Sequence, residues 1–346
     1  MGLPLRDLTT PKELAWEALA GRTLAVDGYN ALYQFLATIR QRDGQLFTDT
    51  AGRPTSHLIG LLYRTTSLLA QGVRPVFVFD GKPPDLKAGT LSSRLKAKEK
   101  AREAWDAAIA TGDLVVARRK AAQTSRLTHP MVEEAARVLE AIGLPTVVAP
   151  SEGEAEAAFL AASGRTWGTA SEDYDALLFG TPRLVRGLAA RGGRGQAPAA
   201  QLIDREELLR TLGITPEELL LIGLVVGTDY NEGVAGYGPK KALKLVQRHL
   251  GWDATLREVG LVPAEVEPVA ELFRHPAVAP VDMFQFREPN DRDVERILVE
   301  EHGFSSERVR AALGRARAGM RAASAPAAAV PGKQTLLEAY EGGGAT

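Results

Sequence analysis

An α/β fold, built on a mostly parallel sheet flanked by helices, is what this chain of 346 residues predicts. Three observations carry that reading. Short apolar runs alternate with helical patterns, which is the arrangement of a parallel sheet with helices on both faces. Several of those runs end on an acid. The overall composition, 45% apolar with 25% charged residues, is that of a globule able to bury a core.

Taken in order, the first strand is Thr23-Leu-Ala-Val-Asp27, and a helical pattern follows from Ser56 to Ala70. The second strand is Pro75-Val-Phe-Val-Phe-Asp80. A polar insertion from Lys82 to Arg126 carries eleven Lys and Arg against five Asp and Glu, a net +6. The whole chain stands at −1, so the remainder sums to −7. A solvated helix surface would mix its signs at i,i+4 spacing, so this one-sided excess favours an anion-binding element. A helix from Thr128 to Ile142 comes next, then the strand Thr146-Val-Val-Ala, which leads into Ser151-Glu152. A helix from Glu154 to Ser163 and the strand Gly168-Thr-Ala-Ser lead into Glu172-Asp173. The segment Arg183 to Gln201, rich in Gly, Arg and Ala, reads as a flexible loop. After Val226 a glycine-rich turn precedes a helix running to about Leu250. From Ala322 to Gly332 the Ala/Pro/Gly-rich sequence reads as a linker. These breaks divide the chain into residues 1–126, 127–226, 227–321 and a tail, 322–346.

Composition removes whole classes of chemistry. With no cysteine there is no disulfide framework, thiol nucleophile or thiolate zinc site. No stretch reaches the ~18 uninterrupted apolar residues of a membrane span, and no secretory signal pattern opens the chain. The sequence reads as that of a soluble intracellular protein.

In a parallel sheet, functional groups gather beyond the carboxyl ends of the strands. Asp27, Asp80, Glu152, Glu154, Asp173, Asp175 and Asp229 are the candidates. Clustered carboxylates without cationic partners repel one another, and cations relieve that repulsion. Oxygen donors with no Cys or His among them select Mg²⁺ or Mn²⁺, and a pair of such ions suits phosphodiester hydrolysis. Glu154 has a structural alternative, because Ser151-x-x-Glu154 is also a capping box. Helical periodicity would pair Glu152 with Glu156 instead, so spacing leaves the choice among the three glutamates open. The turn Gly236-Tyr-Gly238-Pro-Lys240-Lys241 forms a second signal. Its glycines let backbone N–H groups approach a phosphate, and its lysines add point charges, as in a helix–hairpin–helix.

Together these residues resemble flap endonucleases of the archaeal and eukaryotic type, within the structure-specific 5′ nuclease superfamily. The resemblance rests on Leu24-Ala-Val-Asp-Gly-Tyr-Asn-Ala-Leu-Tyr-Gln-Phe-Leu36, Thr55-Ser-His-Leu58 and Val78-Phe-Asp-Gly-Lys-Pro-Pro84. It extends through Ala149-Pro-Ser-Glu-Gly-Glu-Ala155, Ser171-Glu-Asp-Tyr-Asp175 and Gly227-Thr-Asp-Tyr230. It implies a PIN-like nuclease core with a helical arch at about 82–126 and a helix–hairpin–helix. It also implies two Mg²⁺ (or Mn²⁺) held by the seven acids, with Glu156 left out. Lys87 and Arg94 then match cations that contact the scissile phosphate, Tyr33 an aromatic stacked near the cut, and Thr55 the holder of a one-nucleotide 3′ flap. Gly236, Gly238, Lys240 and Lys241 would grip duplex backbone, and carbonyls around Gly233, Val234 and Gly236 would hold K⁺. Gln334, Leu337 and Tyr340 resemble a motif that binds the sliding clamp (PCNA), with Glu341 where a second aromatic is expected. The implied activity is cleavage at the base of 5′ flaps in Okazaki-fragment maturation and repair, with 5′–3′ exonuclease action. The implied protein is a monomer without a membrane partner, in the cytoplasm with the nucleoid in a prokaryote or in the nucleus of a eukaryote. The competing readings are a Holliday-junction resolvase or exonuclease of the same superfamily, and an inactive clamp-tethered DNA-binding scaffold.

Overall fold

A computed structural model of the chain describes residues 3–188, 200–249, 251–281 and 283–324. Seven strands form one sheet: β1 (Lys12–Leu14), β2 (Thr23–Asp27), β3 (Arg74–Phe79), β4 (Thr146–Val148), β5 (Gly168–Ala170), β6 (Arg183–Arg186) and β7 (Ala200–Asp204). Their order is β1-β7-β6-β5-β2-β3-β4. The central pairs β6–β5, β5–β2, β2–β3 and β3–β4 are parallel, and β7 runs antiparallel to both β6 and β1. The expected mostly parallel sheet is present, with an antiparallel edge.

Side-chain alternation along the central strands explains the layers. Val26, Phe77 and Phe79 point to one face. There they pack with the Gly28–Thr38, Ser56–Ala70, His129–Ile142 and Ser306–Ser324 helices. Ala25 and Val78 point to the other face, against Ala157 and Leu160 of the Gly153–Ala162 helix. A separate apolar cluster joins the Pro216–Val226, Pro239–Val246 and Pro263–Arg274 helices to Leu3, Leu5 and Leu8 at the amino-terminal end. The basic insertion forms two helices, Ala88–Ala110 and Leu114–Ala122, packed mainly on each other. Among the described residues, no helix is long and apolar enough to cross a membrane.

Three boundaries differ from the sequence reading. Arg183–Arg186 is a strand rather than part of a loop, and β7 begins at Ala200. Leu184 and Val185 are buried between two half-buried arginines, and the surrounding Gly/Arg-rich sequence hid so short a strand. The helix expected to reach Leu250 ends at Val246, and the chain then turns through His249 at φ 51°. Conversely, the final helix continues through Ser324, three residues into the expected linker.

Candidate active site

The four parallel strands β5, β2, β3 and β4 stand side by side, and an acid follows or closes each one. Asp27 closes β2, Asp80 follows β3, Glu152 follows β4 by four residues, and Asp173 follows β5 by three. Adjacent strands lie ~4.8 Å apart, so the sheet itself gathers the carboxylates at one edge. Two more acids arrive on helices: Glu154 in the first turn of Gly153–Ala162, and Asp175 opening the short Asp175–Leu178 helix. Asp229 comes from the turn after Pro216–Val226. The structure thus brings all seven predicted acids into one electrostatic cluster.

Backbone donors fix several of these carboxylates. Asp27 caps the Gly28–Thr38 helix, accepting the Asn30 N–H at 2.9 Å. Asp80 accepts the Gly153 N–H at 2.7 Å. A Cβ on Gly153 would stand 2.8 Å from the Asp80 Oδ1, so an added side chain there would push that carboxylate aside. Glu154 accepts the Ala176 N–H at 2.9 Å, and Asp175 accepts the Leu3 N–H at 3.0 Å. The capping box left open in the sequence does not form: Glu152 occupies the cap position with no side-chain cap bond. Glu156 turns elsewhere, with its Oε2 accepting the Ala279 N–H at 2.9 Å.

Burial and mutual repulsion push these acids toward their neutral forms. Asp27 is raised to about 8 by burial and then by Asp80 and Asp173. Asp175 is raised to about 7 by burial and then by Asp229 and Asp173. Glu154 is pushed well up by burial, Asp175, Asp173 and Asp27, and burial also raises Asp80. Lys87 supplies a positive charge among them, its Nζ 2.5 Å from Glu152 Oε2 and 4.0 Å from Asp229 Oδ2. Burial alone would lower the Lys87 pKa; Glu152, Asp80 and Asp229 outweigh it and raise it.

Among the described residues, no three carboxylate or imidazole groups already stand together as a formed metal-binding set. The donor chemistry nevertheless suits a hard divalent cation. The donors are all oxygens, and four of the acids are held in an environment that disfavours their charge. A cation would relieve that repulsion.

The remaining predicted residues are distributed around this centre. Tyr33 is half-buried with the Lys98 Nζ 4.8 Å over its ring, so it is not a core residue. Arg94 falls on the Ala88–Ala110 helix, and its side chain lies outside the described residues. Thr55 is buried at the start of the Ser56–Ala70 helix, donating its N–H to the Phe47 carbonyl at 2.7 Å. The Gly236–Lys241 turn forms its own patch. Gly236 has φ 80°, Gly238 caps the Pro239–Val246 helix, and Lys241 lies 4.0 Å from the Tyr237 ring and 3.4 Å from the Gly236 carbonyl. Lys240 reaches Asp7 at 3.9 Å, with both side chains exposed. Gln334, Leu337 and Tyr340 lie outside the described residues.

Two site residues escaped the sequence reading. Asn30 donates to Asp173 Oδ2 at 2.9 Å and accepts the Glu172 N–H at 3.2 Å, bridging the ends of β2 and β5. Its place three residues after Asp27, on the same helical face, was the available signal. Tyr230 is buried beside Glu152 and Glu154, and its ring centre is 5.9 Å from the Lys87 Nζ.

Residues 5–101 match the XPG N-terminal domain and residues 143–229 the XPG I-region, so the two matches contain all seven acids. The chain is 47% identical over 332 residues to flap endonuclease 1 of Aeropyrum pernix, covering 91% of this chain and 94% of that relative. The solved flap endonuclease-1 of Methanococcus jannaschii is 35% identical, with a TM-score of 0.74 over 93% of this chain and 99% of that one. The catalytic core of Rad2 in complex with DNA substrate shares the fold, with a TM-score of 0.69 at 21% identity, over 91% and 100% of the two chains. Such identity across almost the whole of both chains means that this protein belongs to the flap endonuclease 1 family, metal-dependent 5′ flap structure-specific nucleases that hydrolyse phosphodiester bonds.

Proposed function

We propose that the seven-carboxylate cluster holds two Mg²⁺ ions, with Mn²⁺ as a substitute, and cuts the phosphodiester at the base of a 5′ flap. The observation that carries this assignment is the row of acids on four neighbouring strand ends, with Lys87 among them. When bound, the metals supply a water nucleophile at neutral pH and stabilisation of the leaving oxygen. The protein's own part is positional. Gly153, Asn30, Ala176 and Leu3 hold the carboxylates in place. Lys87 exchanges its carboxylate partners for the scissile phosphate and offsets the charge that develops there. Arg94 lies two helical turns beyond it in the arch and acts on the same phosphate. Tyr33 stacks against the nucleotide beside the cut, and Thr55 receives the unpaired 3′ nucleotide. Gly236, Gly238, Lys240 and Lys241 grip the duplex backbone without reading its bases, with K⁺ at the turn carbonyls.

The tail residues Gln334, Leu337 and Tyr340 tether the enzyme to a sliding clamp, more weakly than a motif with two adjacent aromatics. The same centre accounts for 5′–3′ exonuclease action on a nick, and the setting is Okazaki-fragment maturation and repair. One assay separates this reading from resolvase, exonuclease and inactive scaffold. A 5′ flap, a nicked duplex and a four-way junction are each incubated with Mg²⁺ and with EDTA. The reading requires Mg²⁺-dependent cutting that favours the flap, one nucleotide into the duplex. Preference for the junction, or no cutting, overturns it.

A further inference from the structure

The connection from the Gly28–Thr38 helix to the Ser56–Ala70 helix spans residues 39–55, longer than the ~12–15 residues above which a loop without its own elements is uncommon. Two isolated bridges, Arg40 with Leu46 and Thr48 with Pro54, fold it back on itself, and it ends at Thr55. Apolar burial does little to hold it, since Phe47, between the two bridges, is exposed. A buried polar clasp does so instead. Asp49 Oδ1 accepts the N–H groups of Ala51 and Arg53, each at 2.9 Å, and Oδ2 accepts Arg53 Nε at 2.7 Å. The same Oδ2 lies 3.0 Å from Nδ1 of His302, a residue 253 positions away in sequence, and the Arg53 guanidinium also donates to the Glu301 carbonyl. The Asp49 and His302 side chains are 1% and 0% exposed.

This geometry settles where the proton lies. Burial would raise the Asp49 carboxyl, but the Arg53, His302 and Ala51 donors outweigh it and hold it down to about 2. An ionised carboxylate that accepts needs a donor, so His302 carries its hydrogen on Nδ1. Nε2 then faces Glu134 Oε1 at 3.6 Å, beyond hydrogen-bond range, while His57 Nε2 faces the other oxygen of Glu134 at 3.7 Å. Arg137 pairs with Glu301 at 2.8 Å and completes the surroundings. His57 is the second residue after Thr55, and the Phe47 N–H donates to Ser56 Oγ at 2.9 Å. The Thr48–Pro54 bridge, which Asp49 and Arg53 close, ends beside Thr55, whose N–H donates to the Phe47 carbonyl at 2.7 Å.

We infer that Asp49 and His302 are positioning residues that set Thr55, and through it the preference of the enzyme for branched DNA carrying one unpaired nucleotide with a 3′-hydroxyl opposite the 5′ flap. The inference rests on the proposed role of Thr55; with side chains 1% and 0% exposed, Asp49 and His302 act through the loop they hold. The full-length enzyme is compared as wild type, His302→Leu, His302→Asn and Asp49→Asn. The two substrates are a 5′ flap with one unpaired 3′ nucleotide and a 5′ flap with a flush 3′ end. His302→Leu is expected to lower kcat/KM about tenfold on the first substrate, mainly through KM, and to leave the second within about twofold. His302→Asn places an amide N–H where Nδ1–H stood and recovers most of the loss. Asp49→Asn, nearly the same shape, sets an amide N–H against the Arg53 and His302 donors and behaves like His302→Leu. Amide exchange across residues 46–54 speeds up in His302→Leu and Asp49→Asn only. Equal losses on both substrates, or faster loop exchange with unchanged discrimination, overturn the clasp. A wild type that treats the two substrates alike instead overturns the role given to Thr55, and the inference with it.

Discussion

Lys87 stands where positive charge is needed most. With Glu152 at 2.5 Å and Asp229 at 4.0 Å, it offsets part of the repulsion among the acids. On the role proposed for it, Lys87 turns to the scissile phosphate, so the loss of its charge bears on the chemical step rather than on docking. Lys87→Ala is therefore expected to lower single-turnover flap cleavage by about 10²–10³-fold while leaving Kd within about threefold. Rapid-quench kinetics beside a binding titration checks this, and an equal loss in both would remove Lys87 from the chemistry. Gly153 gives a second residue-scale test. An alanine Cβ there would displace the Asp80 Oδ1, but nothing in the backbone angle opposes it, since Gly153 is not among the positive-φ glycines. Gly153→Ala should cost at least about tenfold in cleavage with an almost unchanged Tm. A fully active variant would mean that the Asp80 position does not matter.

At the scale of elements, the strands that matter for the site were legible because each is a short apolar run ending near an acid, and because parallel order places those ends on one edge. What stayed hidden depended on long-range partners. The sequence Arg183–Arg186 carries only two apolar residues, and pairing with β5 and β7 makes it a strand. The ambiguity at Glu154 likewise lay beyond local spacing, since its partner is the Ala176 N–H on another helix. The Asp49–His302 contact has no local signature at all. On the proposed reading, the basic elements act on DNA through charge. Lys240→Ala and Lys241→Ala should each weaken flap binding similarly across sequences, and should each reduce the slope of log Kd against log salt by about one. Sequence-dependent losses would imply base reading and contradict the backbone grip.

Across the whole molecule, the near-zero net charge of −1 combines an arch at +6 with a remainder at −7 that contains the clustered acids. That segregation has a consequence for stability. Asp27 and Asp175 titrate at about 8 and about 7 in the fold, against 3.8 for an ordinary aspartate. The folded state therefore keeps protons that the unfolded chain has released, and the metal-free enzyme loses stability as pH rises from about 4 to about 8. Metal binding needs the ionised forms, so Mg²⁺ affinity should climb through the same window with release of protons. Thermal melts in EDTA should show Tm falling between about pH 5.5 and about pH 8.5, with Mg²⁺ raising Tm more at the upper end. A larger Mg²⁺ effect at the acid end would contradict the burial argument.

The claim at the centre is that the clustered carboxylates, as metal ligands, power the cut without carrying the grip on DNA. Asp175→Asn tests it most directly, because the amide keeps the shape and can still accept the Leu3 N–H. Single-turnover cleavage of a 5′ flap in Mg²⁺ should fall on the order of 10²–10³-fold, with flap affinity retained. Cleavage at a near wild-type rate would contradict the account.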